Sequence, residues 1–215
     1  MCGHSLDVDH ALSCARGGLP AQRHNHVRDL TATLLAEVAH NVVTEPHLQP
    51  LTGEHMRYAT ANTDDLARLD IAADGFWGGP RERAFFDVRV FNPFACSNAS
   101  SNLSAVYRQH ERVKTRAYEQ RILQVEHGSF TPLVFSATGG MAPRCTTFFR
   151  RLCDLLATKR QENYSRVMGL VRAKLGFSLL RDQIACMCGA RSLRCSSPVL
   201  FPQCDVAFVE SRVEV

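Results

Sequence analysis

The stretch RAFFDVRVFNP, Arg83 to Pro93, constrains the fold of this chain more than any other. Phe85, Phe86, Val88, Val90 and Phe91 are large and strand-forming, so the segment reads as a buried β-strand. Asp87 stands in its middle and Arg89 two residues later. Strand side chains alternate, so these two share one face. A second apolar run, ARLDIAADGFW, repeats the pattern. It reads as a neighbouring strand, with Leu69 and Ile71 on one face and Arg68 and Asp70 on the other. Gly75 and the run Gly78-Gly79-Pro80 supply the turn that makes the two strands a hairpin.

The remaining periodicities surround this hairpin. Residues 1–22 hold Cys, His, Gly and Pro without a period and read as a metal-held or irregular lead-in. Val27, Leu30, Leu34, Leu35 and Val38 fall at helical spacing from Asn25 to about His40. NVVTEPHL has an extended look, and Pro46 disfavours helix at Glu45. Residues 50–66 read as a polar loop. One long helix is expected from Leu103 to about Val125, then a strand in FTPLVFSATGG, then amphipathic helices over 144–160 and 163–190. The order of elements predicts an α/β fold with a small mixed sheet flanked by helices. The tail from Leu193 shows no pattern.

The chain has 215 residues, 45% of them apolar, and a net charge of +4. That supports one core and permits a nucleic-acid partner without requiring it. No run approaches ~18 apolar residues, so no membrane span is expected. The start MCGHSLDVDH lacks a signal peptide's apolar core, and nine scattered cysteines fit a reducing, intracellular setting.

A buried unpaired carboxylate costs several kcal/mol or titrates to neutral. Taken singly, Asp70 or Asp87 is most simply a salt-bridge partner, of Arg68 or Arg89. Taken as a pair on adjacent strands, the two suggest equally a shared hard cation, Mg²⁺ or Mn²⁺. Glu45 and Glu37 are candidates for a third acid. Glu111, Lys114 and Tyr118 fall at i, i+3 and i+7, one stripe of the long helix, from which a lysine could reach a phosphate. This set resembles the PD-(D/E)xK nucleases. In them carboxylates fix a metal, the metal activates water and a cation supports the phosphate.

The blocks VDHALSCARGGLPAQRHNHVRD, EPHL, ARLDIAADGFW, FFDVRVFNP, YRQHERVKTRAYEQRI and GSFTPLVFSATGGM, in that order, resemble a known region. It is the C-terminal part of non-LTR-type reverse-transcriptase retroelements, where a zinc knuckle precedes a restriction-like endonuclease. The similarity spans about residues 2–192. It implies a truncated knuckle at 1–22, a restriction-endonuclease-like core at 23–141, C-terminal helices at 142–192 and an unassigned tail at 193–215. It also implies a nuclease that nicks target DNA to prime reverse transcription, hence a nuclear setting.

By that resemblance Asp70 and Asp87 are the two motif acids and metal ligands, and Lys114 is the working lysine with Tyr118 beyond it. Arg89 stands where related nucleases place lysine, and Glu45 matches an acidic position ahead of the first motif acid. Cys2, His10 and Cys14 match three zinc ligands of the knuckle, with His4 a substitute for the fourth. Arg23, His24 and Arg28 are expected near a helix start, where phosphate binds well; a plain solvent face is the other reading. No polymerase sequence is present, so the chain reads as a fragment or decayed remnant of an element, and any contact with element RNA would run through a missing polymerase. Two alternatives to an active endonuclease stay open: a decayed nucleic-acid-binding remnant, and an interaction domain built on the two late helices.

Overall fold

The computed structural model describes residues 7–189. A short helix, α1 (Val8–Ser13), is followed by α2 (Leu19–Ala36), β1 (His40–Thr44), β2 (Ile71–Asp74) and β3 (Arg83–Phe91). Then come α3 (Leu103–Arg121), β4 (Ser129–Ser136), α4 (Pro143–Arg160) and α5 (Tyr164–Gly189). The strands form one mixed sheet in the order β1-β2-β3-β4, antiparallel except for the parallel β3–β4 pair. The α/β class and the small helix-flanked sheet expected from the sequence are the architecture observed.

The sheet is covered on both faces. On one, Ile71, Ala73, Ala84, Phe86 and Val88 pack in a single cluster with Val27 and Leu35 of α2, Phe148 and Leu152 of α4, and Val171 and Leu175 of α5. Phe76, Phe86, Phe148 and Phe149 meet edge-on or tilted near its centre. The C-terminal helices therefore share the sheet's core. On the other face a smaller cluster joins Leu48, Leu69, Ala72, Phe85, Ile122 and Phe130, with Tyr118 of α3 resting on it. Asp87 follows Phe85 by two residues and so lies on the α3 side.

Three boundaries differ from expectation. α2 begins at Leu19 rather than Asn25, because Gly18 takes a left-handed φ of 70° and Pro20 suits the first turn. Within the lead-in, residues 8–13 are helical, capped by the Asp7 carboxylate accepting from the His10 backbone N–H at 2.7 Å. The long helix leaves α geometry at Arg121, widens into a π turn over Ile122–Glu126 and stops at His127, φ 52°. α5 is not simply amphipathic. Val167, Val171, Leu175 and Leu179 are buried, while Phe177, Leu180, Ile184 and Met187 form a second, exposed apolar stripe.

Candidate functional site

Asp70, expected inside the second strand, lies in the bend one residue before it. The β2–β3 ladder ends at the pair Ile71 and Phe86, yet β3 runs on to Phe91. Past that point no β2 backbone remains to pair with β3. The Asp70 carboxylate takes over: Oδ2 accepts the Val88 N–H at 2.6 Å. Its other oxygen, Oδ1, faces His24 Nε2 of α2 at 2.9 Å. The Asp70 backbone carbonyl accepts from the Glu45 N–H at 2.9 Å, which ties the bend to the end of β1.

Asp87 is 5% exposed. Lys114 Nζ, from α3, stands 2.7 Å from its Oδ2. Burial pushes the Asp87 carboxyl up, and the neighbouring Asp70 charge pushes it further; Lys114 and His24 oppose them, and the balance leaves it at about 6. Desolvation therefore outweighs the ion pair. The sequence stripe on α3 is realised. Glu111 accepts the Arg144 backbone N–H at 2.8 Å, Lys114 meets Asp87, and the Tyr118 ring lies 5.8 Å from the Lys114 ammonium. The Tyr118 hydroxyl accepts from Asn62 Nδ2 at 3.2 Å. Arg144 clamps this helix in place, donating to the Phe130 carbonyl at 2.8 Å and to Thr115 Oγ1 at 3.0 Å.

Asp70, Asp87, Lys114 and His24 thus converge from four segments distant in sequence. The other candidates fall elsewhere. Arg89 does not pair with Asp87. Among the described residues it makes no ion pair, and its charge acts on His110, which burial first and Arg89 second hold down at about 4. Arg68 pairs with Glu45 at 3.7 Å, not with Asp70. The exposed Glu45 carboxylate is also held by Arg28, so its side chain is engaged by two arginines while its backbone supports Asp70.

The phosphate-facing role expected of Arg23, His24 and Arg28 does not match their places. The early start of α2 removes all three from its first turn. Arg23 is 3% exposed and donates to the Leu12 carbonyl at 3.2 Å, so it points inward. Of the three knuckle residues, Cys2 lies outside the described residues, His10 sits on α1 and Cys14 caps its end. Among the described residues no group of three or more His, Cys, Asp or Glu side chains is arranged to hold a metal ion.

Sequence reasoning missed Arg121. It is fully buried and donates to the carbonyls of Gln49, Asn62 and Asp64 at 2.7, 3.0 and 2.8 Å. It pins the polar loop between β1 and β2 to the end of α3. No local signal marks it, since an arginine late in a helix reads as a solvated cation. The partner of His24 was equally invisible, because Asp70 lies 46 residues away.

No protein-family model matches the chain, and no curated protein matches it. Among the described residues no helix is long and apolar enough to cross a membrane.

Proposed function

We propose that this chain is a divalent-metal-dependent DNA endonuclease domain of the retroelement kind its sequence blocks resemble, acting on nuclear DNA. The observation that supports this most is the Lys114–Asp87 pair at 2.7 Å beside Asp70. Two carboxylates and one lysine, brought together by a strand end, a strand and a helix, are the residue types this chemistry requires. The residues fit a cation of the Mg²⁺ or Mn²⁺ type. Asp87 Oδ2 is buried, and the Lys114 ammonium 2.7 Å away neutralises it without a well-aligned hydrogen bond, which leaves lone pairs for a cation. Its neighbour Asp70 is also partly buried, at 16% side-chain exposure. Hard cations are often held by one or two carboxylates plus substrate phosphate, so a third acid is not required.

Asp70 and Asp87 would hold the ion. A bound divalent cation supplies Lewis-acid polarisation of the phosphodiester and lowers the pKa of its water. Lys114 balances the carboxylates in the free protein and can turn its ammonium to the phosphate as negative charge develops there. The Tyr118 ring beneath it limits how far that ammonium swings.

Relaxation of a supercoiled plasmid with Mg²⁺, beside a chelator control, tests the reading. Lys114→Ala is expected to lower nicking by about 100-fold or more, while gel-shift affinity at fixed salt falls only slightly. Chelator-resistant nicking, or full activity in that variant, sinks the mechanism. DNA binding by the parent chain without nicking selects the decayed remnant instead.

A second reading, an interaction domain, is favoured by the exposed stripe on α5, where Phe177 is 72% and Leu180 51% exposed. Stripes of this kind often mark contact surfaces. If this one joins two copies, Phe177→Ser with Leu180→Ser should keep the protein monomeric in sedimentation at concentrations where the parent associates. Equal sedimentation of the two proteins counts against it.

A further inference from the structure

The geometry points to His24 as the positioning residue of the acid pair: its imidazole, pinned on α2, holds Asp70 in the orientation that lets it share a divalent cation with Asp87. This rests on the metal-dependent reading above. Asp70 lies in a bend outside the ladder, so no strand pairing fixes its side chain. A carboxylate held through one oxygen can still pivot about that contact. The Val88 N–H holds Oδ2 at 2.6 Å; His24 Nε2, at 2.9 Å from Oδ1, removes the pivot. An ionised carboxylate only accepts, so Nε2 is the donor. The lone pairs left on both oxygens then point in set directions.

His24 can do this because its helix cannot roll. Arg23, the preceding residue, is buried and tied to the Leu12 carbonyl. Val27 is fully buried against the sheet. Arg28, one turn on, holds Glu45, whose own N–H bonds the Asp70 carbonyl. His26, on another side of the helix, lies 2.8 Å from Asp182 of α5. The side chain that meets Asp70 is thus set by four other contacts of the same helix. Outer partners of this sort orient metal-binding carboxylates, and losing one typically weakens metal binding 10- to 100-fold. A histidine already engaged with a carboxylate and only 30% exposed is a poor phosphate contact, which separates this role from DNA binding.

The test measures Mn²⁺ binding to the full chain by titration calorimetry, without DNA. His24→Ala is expected to weaken Mn²⁺ about 10- to 100-fold. His24→Gln, which keeps an N–H donor at similar reach, is expected to restore most of the affinity. Nicking by the Ala variant should then show its deficit mainly as a raised Mn²⁺ requirement, shrinking as Mn²⁺ is increased. Should the Ala variant fail to fold, judged by its melting curve, His24→Asn takes its place, since its amide is too short to reach Asp70. Unchanged Mn²⁺ affinity in the Ala or Asn variant overturns the positioning role and leaves the nuclease reading intact. A nicking deficit that persists at saturating Mn²⁺ also overturns it, in favour of direct contact with substrate. No Mn²⁺ binding by the parent chain overturns both.

Discussion

Asp87→Asn is expected to abolish metal-dependent nicking and, in the same molecule, to stabilise the metal-free protein near pH 8. The two effects share one cause. Asp87 is buried, and the fold raises its carboxyl from 3.8 to about 6. A folded-state pKa above the unfolded value means that the fold favours the protonated form. That favourable contribution is complete below pH 4 and is lost as pH rises through about 6. At pH 8 the native protein therefore carries the cost of a buried charge, with a ceiling of about 3 kcal/mol. Asparagine keeps the shape and removes the charge. Lys114 loses its partner in the exchange, but at 21% side-chain exposure it can turn to water. The expected net gain is about 1–2 kcal/mol at pH 8, fading to nothing near pH 4. Urea midpoints of the parent and the variant at both pH values measure it. An Asn variant less stable at pH 8 would show that the Lys114 pair outweighs desolvation. Under the proposed metal-dependent reading, nicking should fall below detection, since the ion would lose one of the two carboxylates proposed to hold it, while DNA affinity should hold or rise as a repulsion with phosphate disappears.

Arg121→Met is expected to produce the largest loss of stability of any single charge removal among the described residues. The guanidinium spans three carbonyls at 2.7–3.0 Å, each a charge-assisted hydrogen bond. Methionine fills similar space but leaves those oxygens unpaired unless the β1–β2 loop peels away to water. Removing a buried cation recovers part of its desolvation cost, and its Nε has no partner to lose. The balance favours a loss of about 2–4 kcal/mol. Protease cleavage within residues 50–66 should quicken more than cleavage elsewhere. Arg121→Lys should recover only part of the loss, because one ammonium cannot reproduce a planar fork aimed at three acceptors. A Met variant with the parent's urea midpoint and the parent's cleavage pattern would show that the loop is held by other contacts.

The acids Asp70 and Asp87 and the lysine Lys114 could be picked out from local pattern alone. A carboxylate amid large β-branched and aromatic residues stands out whatever its partner, and the i, i+3, i+7 spacing of Glu111, Lys114 and Tyr118 requires only that the segment be helical. The sheet and its helices were readable for the same reason, because periods of 2 and 3.6 are local properties of the chain. What each polar group pairs with is not local. Asp70 finds His24 and Val88 because β2 stops one residue short of it while β3 continues, a matter of register between two strands. Arg23 points inward and Arg28 outward to Glu45 because α2 starts at Leu19 and is rotated to bury Val27 and Leu35. Arg121 turns from a helix-end cation into a buried clamp only because a loop from before β2 crosses the end of α3. A residue's own neighbours in sequence determine which face of an element it occupies; which side chain stands opposite that face is decided by how elements far apart in the chain are rotated and registered against one another.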